Sequence, residues 1–167
     1  MPLTISELNQ MSQEAFVNAL GAVFEDTPAI AQKAWKARPF ADLADLHQKM
    51  VDVVEWMPPD EQLALIRAHP DLGSKAKMAE ASIQEQAGAG LDRLTPKEYS
   101  QLHSLNQKYQ DRFGFPFIIA VKNHTKASIL EAFKQRLKNT VEVERERAIA
   151  EITQIAWFRL LNLIQES

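Results

Sequence analysis

Four short stretches carry side chains able to do chemistry. The first is "HPDLG", residues 69–73. A histidine titrates near neutral pH and suits general acid–base work. The proline after it pushes His69 out of the helical region, so the backbone turns there. Either the imidazole is presented to a cleft, or His69 caps the carbonyls of the preceding helix. The second is "ASIQEQAG", residues 81–88. Ser82 and Glu85 have capping-box spacing, with Gln86 beside them. That arrangement is either a plain exposed helix start or a first turn whose free N–H groups receive an anionic or carbonyl-rich ligand. The third is Arg159. In the last helix Ile152, Ala156 and Leu163 define an apolar stripe, and Arg159 falls within its arc. A buried arginine needs a partner, either a protein carboxylate such as Glu85 or the carboxylate of a ligand. The fourth is "GFPFIIAV", residues 114–121, an apolar run too short for a helix. It is either a plain core segment or a pocket wall whose main-chain groups seek partners.

The other histidines read as surface or helix-face residues. His47 lies in a helical pattern, His103 neighbours a core leucine, and His124 sits in the turn "KNHT". No H-x-x-x-H or H-E-x-x-H pair exists, and His69 and Asp71 lack an obvious third ligand, so no metal is expected. Phosphate loops and dinucleotide fingerprints are absent as well. The run Glu142, Glu144, Arg145, Glu146 and Arg147 reads as a solvated, self-paired helix face.

The elements that must position these residues are helical nearly throughout. Thr4 and Glu7 form a capping box for a short first helix, and a second is expected from Gln13 to about Phe24. Thr27 and Pro28 predict the start of a third that stops at Pro39. The stripe Leu43, Leu46, Met50, Val53 and Val54 predicts a fourth, ended by Pro58 and Pro59. Pro59 opens a short helix that ends before Pro70. Thr95, Pro96 and Glu98 make the clearest start in the chain, and Gly114 ends that helix. Thr125 caps the next, and a long final helix runs from about Val141 to Ile164. The pattern "AWFRLLNLI" within it is apolar nearly all round, which predicts burial. The expected fold is all-α. It is a single compact domain, residues 1–167, of about eight helices with one short extended segment near residues 115–121.

Composition narrows the function classes. The net charge of -3 offers no basic excess for nucleic acid or an anionic membrane, although one or two local cations would still serve a small anionic substrate. There are no cysteines, which excludes disulfides, thiolate nucleophiles and Cys-based metal sites. No apolar stretch is long enough to span a membrane. "MPLTISELNQ" lacks the pattern of a signal peptide, and "QES" matches no simple address signal. A cytoplasmic location is expected.

Taken together, "HPDLG", then "ASIQEQAGAGLDRLTPKEYSQLHSLNQKYQDRFGFPFIIAV", then "RL" in the last helix resemble the 2-oxo-4-hydroxy-4-carboxy-5-ureidoimidazoline (OHCU) decarboxylases of urate degradation. The resemblance spans about residues 10 to 163. It implies an all-helical homodimer without cofactor or metal that converts OHCU to (S)-allantoin and CO₂. It further implies that His69 is the proton donor and that Glu85 and Arg159 are catalytic. Pro70, Ser82, Ile83, Gln84, Glu85, Gln86, Phe117, Ile118, Ile119, Ala120 and Val121 would bind substrate. Glu85 would orient the imidazole, and Arg159 would steer the substrate carboxylate more than clamp it, since a strong grip on the departing group opposes its loss. Two other readings compete. One is a helical interaction module without chemistry, which leaves Arg159 unexplained. The other is a different cofactor-free lyase or hydrolase of ureido compounds.

Overall fold

Short polar side chains mark most helix starts in this chain, and the computed structural model follows them. It describes residues 3–72, 85–88, 90, 91 and 93–165. Eight α-helices and one 3-10 turn form among the described residues, together with a helical turn at 85–88. Strand-type pairing among the described residues is limited to one isolated bridge, Leu3 with Ile164. The all-α expectation holds. The chain divides into two units, Met1–Ala68 with Thr153–Ser167, and His69–Ile152.

The first unit holds α1 (Ile5–Gln10), α2 (Gln13–Leu20), α3 (Ala29–Trp35), α4 (Leu43–Glu55) and α5 (Pro59–Arg67). Thr4, Ser12 and Asp42 each accept a first-turn N–H and so cap α1, α2 and α4. α4 buries Leu43, Leu46, Met50 and Val54 on one stripe and packs on α3, which packs on α2. Val53, expected on that stripe, is half-buried.

Two boundaries differ from the sequence reading. α2 ends at Leu20, not near Phe24. The chain leaves the helix at Gly21, yet Val23 and Phe24 remain buried, so the apolar pattern continues where the helix does not. Thr27 does not cap α3. Its hydroxyl donates to the Glu25 carbonyl at 2.7 Å, across Asp26, whose φ is 45°. The hydroxyl thereby braces a left-handed turn, and Pro28 takes the N-cap position without a side-chain bond.

The second unit holds α6 (Pro96–Phe113), the 3-10 turn Val121–Asn123, α7 (Lys126–Arg136) and the first part of α8 (Val141–Leu163). α6 has both ends fixed. Thr95 and Glu98 complete a reciprocal capping box, and Gly114 stops the helix at φ 78°, where a side chain would be strained. Thr125 and Ser128 make a second box at the start of α7. α6 packs on α7 through Tyr109, whose ring lies 6.3 Å from Phe133, while Phe117 stacks on Phe133 at 3.7 Å.

α8 corrects two expectations. It is not buried all round, because Leu161 and Leu163 are 46% and 38% exposed. Leu160, fully buried, takes the stripe position expected of Leu163 beside Ile152 and Ala156. The charged run is not wholly solvated either. Glu142, Glu146 and Arg147 are exposed, but Glu144 is 0% exposed.

Candidate active site

His69 lies just past α5, whose C-cap is Ala68, and it is buried. The loop that follows it is held by α6. Gln110 Nε2 donates to Asp71 Oδ1 at 2.6 Å, and Asn106 Nδ2 donates to the Leu72 carbonyl at 3.0 Å. The other three histidines have structural contacts. His47 Nε2 lies 2.9 Å from the Thr153 carbonyl and its ring meets Trp157 edge-on; His103 stacks with Tyr99, and His124 Nδ1 is 3.0 Å from Ser128 Oγ.

Glu85 and Gln86 open the helical turn 85–88, where Gln86 is buried and Glu85 half-buried. The Gln86 carbonyl accepts from Leu91 N–H at 2.9 Å. Ser82, Ile83 and Gln84, with the capping box expected of Ser82, lie outside the described residues.

Residues 115–120 have no regular secondary structure, and Phe117, Ile118, Ile119, Ala120 and Val121 are all buried. Non-helical backbone in an interior must be bonded. Here protein side chains meet part of that demand. Arg136 Nη1 donates to the Ile118 carbonyl at 2.6 Å, and the Ala120 N–H donates to Glu151 Oε1 at 3.0 Å. The Ala120 carbonyl accepts from Asn123 N–H at 3.0 Å. These three main-chain groups are engaged within the chain, which narrows what a ligand has to satisfy.

Arg136 belongs to a buried polar cluster. Its Nε donates to Glu144 Oε1 at 2.8 Å, and its guanidinium carbon sits 4.3 Å from the Phe117 ring centroid. Glu144 also accepts from Tyr109 Oη at 2.5 Å and Asn139 Nδ2 at 2.8 Å. Burial, first, and the Glu144 hydrogen bond push the Tyr109 phenol far above its usual range, so it stays protonated and donates.

Arg159 is buried in the other unit, as its place on the apolar arc implied. Its Nη2 donates to Glu25 Oε1 at 2.7 Å, and its Nη1 reaches the Val23 and Ala22 carbonyls at 3.3 and 3.4 Å. A protein carboxylate, Glu25, therefore does pair with it. Among the described residues no group of three His, Asp or Glu side chains is placed to hold a metal ion.

A family description for OHCU decarboxylase matches residues 9–161. The chain belongs to the OHCU decarboxylase family. It is 42% identical to the OHCU decarboxylase of Halalkalicoccus jeotgali over 96% of this chain and 92% of that protein. It is 44% identical to the uric acid degradation bifunctional protein PucL of Bacillus subtilis, covering 98% of this chain and 33% of that one. The crystal structure of an (S)-allantoin synthase aligns with a TM-score of 0.80 at 30% identity, over 97% of this chain and 54% of that one.

OHCU decarboxylases are carboxy-lyases, and in this chain several buried polar groups bond the His69 loop and the 117–121 segment. Sequence reasoning missed Asn106, Gln110, Arg136, Glu144 and Glu151. One signal was available for Glu144. Counting back from Ile152 by four and eight residues gives Ala148 and Glu144, so Glu144 shares the apolar stripe by the same arithmetic that flagged Arg159.

Proposed function

We propose that this chain removes the C4 carboxylate of OHCU as CO₂ and yields (S)-allantoin in urate degradation, with His69 as proton donor. Breaking the C4–carboxylate bond releases an electron pair. That pair enters the adjacent C5=N system of the ring and leaves an enol at C4. Ketonisation makes C4 a carbonyl and places one proton on C5, which becomes the stereocentre. The electron sink belongs to the substrate, so no cofactor is needed. The protein's tasks are to orient the carboxylate out of the ring plane and to deliver the proton to one face.

In this reading Glu85 orients the His69 imidazole, and Ser82 and Gln86 bond the ring carbonyl and ureido groups. Pro70, Ile83, Gln84 and Phe117 to Val121 complete the binding surface. Arg159 orients the substrate carboxylate, and its pairing with Glu25 tempers the grip. The observation that carries the reading is a buried histidine immediately after α5, on a loop tied to α6, in a chain of this family. The proposal extends to a homodimer, for which the exposed Leu161 and Leu163 of α8 supply apolar surface, to a single domain over residues 1–167, and to a cytoplasmic enzyme. No helix among the described residues is long and apolar enough to cross a membrane.

The test generates OHCU enzymatically from urate and follows allantoin by circular dichroism. The protein is expected to produce the (S) signal well ahead of the spontaneous racemic reaction, and His69→Asn to lose it with unchanged thermal unfolding. A time course and chirality equal to the spontaneous reaction would overturn the assignment.

A further inference from the structure

We propose that Asn106 and Gln110 of α6 are positioning residues that aim His69. The inference rests on the reading of His69 as proton donor. The two side chains are four residues apart, hence one above the other on a single helix face. They grip consecutive residues of the loop by different groups, Gln110 the side chain of Asp71 and Asn106 the main-chain carbonyl of Leu72. A loop held by two unlike groups at adjacent residues is fixed in rotation as well as in position.

The fixed point lies close to the imidazole. Only Pro70 separates His69 from Asp71, and its ring locks φ. The same ring restricts the backbone of His69. Few torsions therefore remain between the clamp and the histidine, and a displacement at Asp71 or Leu72 is passed on to the imidazole. α6 is a suitable anchor, being 18 residues long, boxed at its start and stopped by a left-handed glycine. Tyr109 on the same helix bonds Glu144, which holds Arg136, which holds the Ile118 carbonyl. One rigid element thus registers both the His69 loop and the 117–121 segment.

Asn106 itself points to a geometric role. It is 6% exposed, and its Oδ1 is buried without a hydrogen-bond partner among the described residues. Half of the amide's bonding capacity is unused in the interior, where an unpaired acceptor is unfavourable. What Asn106 contributes is its donor contact to Leu72.

The experiment measures kcat, KM and the enantiomeric excess of allantoin for the full chain, at matched fraction folded. Asn106→Ala is expected to lower kcat roughly 10-fold and Gln110→Glu, which sets two carboxylates together, roughly 10-fold, both with little change in KM. Both variants are expected to lower enantiomeric excess, because a misaimed donor lets water protonate either face; a merely structural residue would leave chirality intact. The pair Asp71→Asn with Gln110→Glu restores the contact with donor and acceptor exchanged, and should recover kcat and chirality. Should Asn106→Ala fail to fold, the Gln110→Glu variant and its rescue decide. Wild-type kcat and chirality in Gln110→Glu, or no recovery in the pair, would overturn the clamp while His69→Asn stays inactive. An active, stereoselective His69→Asn would instead overturn the reading of His69.

Discussion

Two buried arginines in this chain solve one problem in different company. Arg159 bonds the Glu25 carboxylate and two consecutive main-chain carbonyls, Ala22 and Val23. Arg136 meets Glu144 and the Ile118 carbonyl, and its Nη2 is buried without a hydrogen-bond partner among the described residues. In both places the guanidinium bonds carbonyls of a stretch that is not helical, which is where an interior needs donors. The carboxylates differ more. Glu144 also holds Tyr109 and Asn139, so with Arg136 its charge organises three side chains. The teaching is that a buried ion pair is worth what its carboxylate holds. Glu144, through Tyr109 and Arg136, ties three helices to the 117–121 segment.

The widest gap between the two should come from removing each carboxylate. Glu144→Leu leaves Arg136 charged without its counter-charge and leaves Tyr109 and Asn139 without their acceptor. It is expected to destabilise by about 5 kcal/mol, the upper end for breaking a buried pair. Glu25→Leu leaves Arg159 its two carbonyls and should cost about 3 kcal/mol, the lower end. Chemical denaturation of both variants checks the order. Equal losses would mean that the Tyr109 and Asn139 bonds of Glu144 add nothing measurable.

The second test separates stability from turnover. Arg159→Met combined with Glu25→Leu replaces a buried pair by apolar groups of similar size, which is often near neutral for stability, within about 1 kcal/mol. Turnover is nonetheless expected to fall, because the group proposed to orient the substrate is gone. Steady-state kinetics on this double variant decide the point, and unchanged kcat and KM would remove Arg159 from the site.

How far the residues announced themselves follows from the range of the forces. Thr95, Pro96, Glu98 and Gly114 act on their own helix within a few residues, and all four behave as read. The pattern from Gln13 to Phe24 outruns its helix because Val23 and Phe24 satisfy the core after the helix has ended. Thr27 leaves its cap unmade because its hydroxyl has a nearer acceptor in the Glu25 carbonyl. His69 and Arg159 stood out through a proline and a stripe, both local. Asn106 and Arg136 did not, since the carbonyls they bond lie 34 and 18 positions away and even Glu144 stands eight residues from Arg136 across a helix break. Glu144 was hidden by its neighbours: a run of alternating charges reads as solvated, and only the stripe count dissents.

The smallest effect belongs at the surface, where a carboxylate holds a helix end. Glu98 is kept below the usual carboxylate range chiefly by the Thr95 N–H and next by Lys126, whose Nζ lies 3.2 Å from Glu98 Oε1. A depressed value means that the folded state favours the ionised form. The stabilisation is therefore complete above the unfolded value of 4.5 and fades as pH falls through the lower folded value. Thermal unfolding across acid pH should show wild type losing more stability than Glu98→Gln below about pH 4.5, with the two curves parallel above it. Added salt should screen the Lys126 share and leave the Thr95 share, because an exposed ion pair weakens with ionic strength while a hydrogen bond to the backbone does not depend on a distant charge. If salt erased the whole difference, the capping box would be an ion pair in disguise. The contrast with Glu144, itself fully buried, would then be one of kind rather than degree.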